Sequence, residues 1–284
     1  MVTAPRVDPS LLADLVERYR VRFLAIPPPV AAVLTGHPAV AGRDLSSLEV
    51  VAVGGAPLRS GLQHKLGVRL PGCVIGQGWG MTETTSAICL PNRRTGTAPG
   101  TVGRPLPNTE LRVVDPDTGR DLGHRENGEL WVRGPQVMTG YHGDPEATAA
   151  ILDGDGWLRT GDLGRVDHSG DVILVGRLKE LIKVDAFPVA PAEVEAVLMT
   201  HPSVADAAVV GRTDEWHGEV PVAFVVPAAP FDAQLLLGWV AERVAAHKRL
   251  AAVFPVDALP CTPSGKLLRR VLRDRVPARG MDGP

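Results

Sequence analysis

Read for hydrophobic spacing, the first hundred residues alternate helical and strand-like stretches. Leu11, Leu12, Leu15, Val16 and Tyr19 recur at helical intervals within DPSLLADLVERYR (8–20), behind an acidic, serine-containing start, which predicts an amphipathic helix. RFLAI (22–26) is a continuous apolar run of strand length. It is cut by Pro27, Pro28 and Pro29, which cannot donate to a ladder. A helix-like VAAVL (30–34) follows, then the strand LEVVAVGG (48–55), the short helix LRSGLQHKL (58–66) and the strand CVIGQ (73–77). Strands this uniformly apolar are buried on both faces, so the alternation predicts a parallel sheet covered by helices.

Beyond residue 100 the pattern shortens. ELRVVD, GELWVRG, LGRVD and DVILVG are separated by the turn-forming runs DPDTG, HRENG and DHSGD, which predicts an antiparallel barrel or sandwich. Helical spacing returns after GRLKELIK (176–183). Pro191 suits the first turn of PAEVEAVLMTH, where its missing N–H costs nothing, and Val194, Val197 and Leu198 form the apolar face. ADAAVVG, PVAFVV and VFPVD read as strands. QLLLGWVAERVAAH (234–247) places Leu236, Val240 and Val244 on one helical face, and KLLRRVLRDRV (266–276) reads as a closing basic helix. The tail at 277–284 reads as frayed.

Composition narrows the function. With 284 residues, 44% of them hydrophobic, and a formal net charge of −2, the chain is a folded protein of about two domains. A balance this close to neutral argues against binding nucleic acid duplexes, which takes a basic face. No apolar run reaches the roughly 18 residues of a membrane span, and Arg6, Asp8, Asp14, Glu17, Arg18 and Arg20 stand where a signal peptide needs an apolar stretch, so the expected location is cytoplasmic. Cys73, Cys89 and Cys261 are far apart and without C-x-x-C spacing, predicting neither a disulfide framework nor a zinc site. Gly (31) and Pro (26) are over-represented while aromatic residues are only 4%, which points to many tight turns.

The densest glycine cluster is also the most informative. GQGWGMTETT (76–85) follows a strand, lets backbone approach a ligand closely at three glycines, and adds a hydroxyl at Thr82 and a carboxylate at Glu83. Neither G-x-G-x-x-G nor G-x-x-x-x-G-K-[ST] occurs, so the dinucleotide fold and the P-loop are unsupported.

Taken in order, GGAPL (54–58), GQGWGMTETT, GELWVRGPQVMTGYHGDPEAT (128–148), GWLRTGDLG (156–164), GRLKELIK and PSGK (263–266) resemble the adenylate-forming superfamily, nearest to 4-coumarate and medium-chain acyl-CoA ligases. The resemblance runs from residue 8 to about 276 and corresponds to the family's second half. It implies ATP-dependent activation of a small carboxylic acid as acyl-AMP, then thioester formation with CoA, using ATP, Mg²⁺ and CoA. It further implies an α/β plus α+β chain. Part of a doubly wound sheet (1–100) would be followed by a small antiparallel β-barrel (101–176), a hinge (177–183) and a mobile C-terminal α+β lid (184–276).

The same resemblance distributes roles. Glu83 matches the Mg²⁺-binding carboxylate, a hard oxygen ligand. Asp162 matches the acid that accepts both ribose hydroxyls, and Arg177 a second nucleotide contact. Gly55, Ala56 and Pro57 match the backbone beside the adenine. Gln77, Gly78, Trp79, Gly80 and Thr82 join the nucleotide-binding set, Gly78 to Gly80 also flooring the acyl pocket. Lys266 matches the catalytic lysine of adenylate formation, Lys183 its counterpart in the thioester step, and Lys179 the pivot between the two arrangements.

Two departures bear on mechanism. After Lys183 the family has an aromatic or small residue, a lysine and a glycine, where this chain has Val184, Asp185 and Ala186. An added methyl and negative charge there would impede a pantetheine arm. The family's Ser/Thr/Gly-rich phosphate loop ending in Pro-Lys is also missing upstream of GGAPL, and TGTAPGTVG (95–103) has its composition at the wrong place. Three readings therefore stand: the C-terminal half of a ligase, either a fragment or one partner of a split enzyme, expected to bind an N-terminal-half protein or to form a homo-oligomer; a non-catalytic nucleotide- or partner-binding remnant; and an adenylating partner that loads a carrier protein.

Overall fold

The structure, a computed structural model, describes residues 1–3, 8–185, 187–230 and 232–277. Ala186, the last seven residues of the tail expected to fray, and the few others between these ranges lie outside it. Two compact units divide the chain, Met1–Leu174 and Val175–Pro284.

In the first unit the amphipathic start forms α1 (Pro9–Tyr19), capped by Asp8, whose carboxylate accepts the Leu11 N–H at 2.9 Å. The apolar runs become β1 (Phe23–Ile26), β2 (Val50–Val53) and β3 (Val74–Gln77), a parallel sheet in the order β1-β2-β3 with Ala25, Ala52 and Gly76 in register. Central β2 is buried along its whole length, as its unbroken apolar sequence requires. The prolines do stop β1, but Pro28 and Pro29 also open α2 (Pro28–Gly36), because first-turn N–H groups have no helical acceptor. α2 and α3 (Ser60–Arg69) bury Leu34 and Leu66 completely in the core around Val51 and Val53.

The antiparallel region contains β4 (Glu110–Val114), β5 (Gly128–Arg133), β6 (Leu158–Val166) and β7 (Val172–Arg177) in the order β4-β5-β6-β7. The expected short strands are present. Among the described residues, however, β4 and β7 are the edges of an open sheet, so the barrel does not close. Strand β6 begins at Leu158, earlier than LGRVD implies, and α4 (Pro145–Ile151), capped by Asp144, interrupts the long β5–β6 connection.

In the second unit, β8 (Ile182–Val184), β9 (Phe187–Val189), β10 (Val204–Asp214), β11 (Gly218–Pro227) and β12 (Ala252–Pro255) form a five-stranded sheet. β12 pairs parallel to β11 and the rest are antiparallel. Both faces are covered. Ala207, Val209, Ala223 and Val225 pack with α5 (Pro191–Leu198) and α6 (Ala233–Ala241), while Ala208, Val210, Val222 and Phe224 pack with Leu272 of α7 (Arg269–Arg273). Two predicted helices shorten. The one at 234–247 ends at Ala241, and the closing one spans only Arg269–Arg273, its first residues being taken by a tight loop.

Candidate functional site

Parallel sheets offer ligands the carboxyl ends of their strands. Two glycine-rich turns of the first unit meet there. Gly54 follows β2 and donates to Ile26 O at 3.1 Å, while Gly78 follows β3 and donates to Val53 O at 2.8 Å. The Gln77 side-chain carbonyl accepts the Leu58 N–H at 2.7 Å, tying GGAPL to GQGWG. Gly55 adopts φ +82°, a conformation costly for residues with a side chain. The backbone packs closely. A Cβ on Gly78 would lie 3.3 Å from Cys89 O, and one on Gly80 would collide with the Ser86 carbonyl.

Between those glycines, Trp79 is buried and its indole N–H donates to Asp162 Oδ2 at 2.8 Å. Asp162 is itself only 5% exposed. A β-bulge aims it. Glu129 pairs with Leu163 and Trp131 with Arg159, leaving Thr160, Gly161 and Asp162 opposite Leu130 alone. Gly161 takes φ +67° there, and Thr160 Oγ1 donates to Leu130 O at 2.7 Å and accepts the Asp162 N–H. The TGD sequence is therefore the bulge itself.

Sequence reasoning missed the residue that secures this bulge. Glu129 is buried, accepting the Gly161 N–H at 3.0 Å on one carboxylate oxygen and the Trp131 indole N–H at 2.7 Å on the other. An acid inside the otherwise apolar GELWV was the available signal.

Thr82 and Glu83 lie on a short 3₁₀ turn, Thr82–Thr84, with Thr82 exposed. Glu83 Oε1 accepts from the Tyr141 hydroxyl at 2.7 Å, and Glu83 O accepts the Met138 N–H at 2.8 Å. The Tyr141 pKa is raised by that hydrogen bond first, then by partial burial and the carboxylate charge. Among the described residues no three His, Cys, Asp or Glu side chains cluster to hold a metal. Glu83 stands as a lone carboxylate, a donor set that fits Mg²⁺, which keeps several waters and takes one or two carboxylates besides phosphate. At Gly78 and Gly80 the room of a Cβ is taken by the chain's own Cys89 and Ser86 carbonyls, whereas at Gly55 nothing lies within 4 Å of it, which leaves main chain open to a ligand there.

TGTAPGTVG is committed to structure. Buried Thr97 accepts the Gln77 N–H on Oγ1 at 2.9 Å, and buried Thr101 donates to Ala98 O.

The remaining predicted residues belong to the second unit. Arg177 ends β7, and exposed Lys179 sits in the 3₁₀ turn Leu178–Glu180. Lys183 is exposed on β8, while exposed Lys266 lies in a tight loop before α7, so the two lysines occupy different elements. Asp185 takes φ +49°, and both its carboxylate oxygens lie 2.9 Å from His217 Nδ1.

The chain thus combines a glycine-rich turn at strand ends, a buried acid presented by a bulge and an α+β unit carrying exposed lysines. Residues 1–142 match the AMP-binding enzyme family and residues 193–266 the AMP-binding enzyme C-terminal domain. The chain belongs to the AMP-binding enzyme family. A 4-coumarate–CoA ligase 2 of Oryza sativa subsp. japonica is 45% identical over 280 residues, covering 96% of this chain and 49% of that protein. The 4-coumarate–CoA ligase 1 of Glycine max is 41% identical over 281 residues and is covered over 96% of its length. ATP-bound MatB from Rhodopseudomonas palustris has the same fold with a TM-score of 0.87 at 31% identity, over 96% of this chain and 54% of that one. The chain spans about half the length of the first curated relatives it matches, the Oryza protein among them. Among the described residues no helix is long and apolar enough to cross a membrane.

Proposed function

We propose that the chain supplies nucleotide and acyl handling to an ATP-dependent acid–thiol ligase. A substrate carboxylate attacks the α-phosphorus of ATP, expelling pyrophosphate and leaving acyl-AMP; the CoA thiol then attacks the acyl carbon and AMP departs. The observation that carries this reading is the Trp79–Asp162 hydrogen bond, which gathers an aromatic face and an ionisable acid beside a glycine floor. Asp162 accepts ribose hydroxyls with its two oxygens. Gly55, Ala56, Pro57, Gln77 and Gly78 to Gly80 lie along the base and the acyl group, and Thr82 flanks the phosphates. Glu83 holds Mg²⁺, which neutralises phosphate charge. Arg177 adds a nucleotide contact.

Lys266 offers its ammonium to the α-phosphate and acyl oxygens in the first half-reaction, and Lys183 acts in the second. Lys179, exposed in its 3₁₀ turn, is the pivot between them. A carrier-protein thiol as acceptor is the second reading. Asp185 favours it, placing a carboxylate where the family usually has lysine.

Titration of the isolated chain with AMP, followed by tryptophan fluorescence, tests the nucleotide site. Asp162→Ala should weaken binding about tenfold or more, because hydrogen bonds to a charged group are lost. Equal binding by both proteins would refute the assignment. With ATP, Mg²⁺ and a panel of aryl and fatty acids, the 284 residues alone should give little pyrophosphate exchange, since they contain no phosphate loop ending in Pro-Lys. Exchange at roughly 1 s⁻¹ or faster would contradict this.

A further inference from the structure

Arg269, the first residue of α7, has a side chain only 15% exposed, and its guanidinium reaches three elements of the second unit. Nε donates to Glu180 Oε2 at 2.9 Å, in the turn that carries Lys179. Nη1 donates to Glu195 Oε1 of α5 at 2.5 Å and to Val209 O of β10 at 2.8 Å, and Nη2 donates to Glu195 Oε2 at 3.2 Å. Glu195 Oε1 also accepts the Val209 N–H at 2.8 Å, so helix, strand and turn share one charged junction. Burial opposes the arginine's charge, yet the hydrogen bonds and charges of Glu195 and Glu180 outweigh it and raise its pKa. Such a junction needs a planar fork; a lysine, with one nitrogen, cannot serve three acceptor groups in these directions.

Three residues upstream, Lys266 stands in a loop that closes on itself. Thr262 N donates to Lys266 O at 2.9 Å, Lys266 N to Thr262 Oγ1 at 3.1 Å, Gly265 N to Thr262 O at 2.8 Å and Leu268 N to Pro260 O at 2.8 Å. Leu267 and Leu272 seat its base on the sheet by apolar contact, which fixes depth but not direction. Arg269 adds the direction, linking the end of this loop to the Leu178–Glu180 turn.

We propose that Arg269 is a positioning residue that couples the Lys266 loop to the Leu178–Glu180 turn, so that the adenylation lysine and the pivot move as one piece. This rests on the roles given above to Lys266 and Lys179. The coupling itself can be measured without them. In hydrogen–deuterium exchange on the full chain, Arg269→Lys should speed exchange about tenfold or more in peptides covering 178–183 and 260–268, the scale for losing hydrogen bonds to charged groups. The β10–β11 hairpin should keep its protection. Unchanged exchange in either segment would overturn the coupling, and so would equal loosening of the hairpin, which would make Arg269 a general structural charge.

A second arm uses an assembly active in pyrophosphate exchange. There Arg269→Lys should lower kcat with little change in the KM for ATP, and should add nothing to Lys266→Ala. An equal further loss in the Lys266→Ala background would show that Arg269 does not act through the lysine. Failure of the functional reading leaves a separate mark: Lys266→Ala alone would then be without effect, while the exchange result still decides the coupling.

Discussion

Trp79 and Asp162, 83 residues apart, are joined by a 2.8 Å hydrogen bond that locks the turn after β3 to the bulge in β6. Trp79→Phe keeps the ring face but leaves a buried carboxylate oxygen without this donor. The variant should lose about 1–3 kcal/mol of stability, read as a lower denaturant midpoint with an unchanged slope. AMP affinity should fall with it. A variant as stable as the parent would mean that the hydrogen bond is not formed in solution.

Glu129 gives a sharper test of how the bulge is held. In Glu129→Gln the amide oxygen can still accept from Gly161, but the amide nitrogen then meets the Trp131 indole N–H, a donor facing a donor. Loss of a buried acceptor should cost about 1–3 kcal/mol, and AMP should bind more weakly because Asp162 is no longer aimed. Parental AMP affinity in the Glu129→Gln variant would separate the bulge from the nucleotide site.

The Glu83–Tyr141 pair predicts a titration. Ionising the tyrosine would set a phenolate against the carboxylate that now accepts its proton, so its folded pKa lies above the ordinary value near 10. A raised folded pKa means that the contact's contribution is fully present below the unfolded value and disappears as pH climbs through the folded one. In a Tyr19→Phe background, which leaves Tyr141 as the sole tyrosine, the phenolate absorbance should appear late on alkaline titration. Glu83→Gln should bring it earlier. Coincident curves would exclude the pair.

The three cysteines should differ in alkylation. Cys261 is exposed, Cys73 is partly buried with its pKa raised by that burial, and Cys89 is fully buried with its thiol pushed up to about 12, chiefly by burial and secondarily by the Asp171 charge. Thiolate is the reacting species. Mass spectrometry under native conditions should therefore find Cys261 modified first, Cys73 slowly and Cys89 only on unfolding. Early modification of Cys89 would contradict the packing of its strand-like bridge to Trp79.

How far the sequence spoke depends on whether a signal is local. The apolar runs of β1, β2 and β3 and the helical stripe of α1 are visible because burial acts on consecutive or periodic positions. The sequence does not separate an open sheet from a barrel, because strand sequence records which faces are buried, not whether the last strand returns to the first. Asp162 could be picked out through the family likeness, but its bulge could not, since a bulge is a mismatch between two distant strands. Glu129 and Arg269 were overlooked for a related reason. A charge reads as exposed until its partners are known, and theirs come from other elements: Gly161 and Trp131 for the first, Glu180, Glu195 and Val209 for the second.

Lys266 and Lys183 allow the two half-reactions to be separated in an assembly that carries out both. Lys266 is exposed in a closed loop, its backbone paired with Thr262; under the mechanism proposed above, its ammonium would contribute charge to the phosphate step alone. Lys266→Ala should lower acid-dependent pyrophosphate exchange by about 10² or more, the scale for removing one preorganised charge-stabilising donor. It should leave the reaction of supplied acyl-adenylate with thiol nearly intact. Lys183→Ala should do the reverse, because the proposed mechanism assigns this side chain, exposed on β8, to the second arrangement. Neither substitution removes buried surface, so the folded stability should stay within about 0.5 kcal/mol of the parent. Equal slowing of both half-reactions by Lys266→Ala would defeat the two-arrangement mechanism, because a lysine used in only one arrangement cannot limit the step performed in the other.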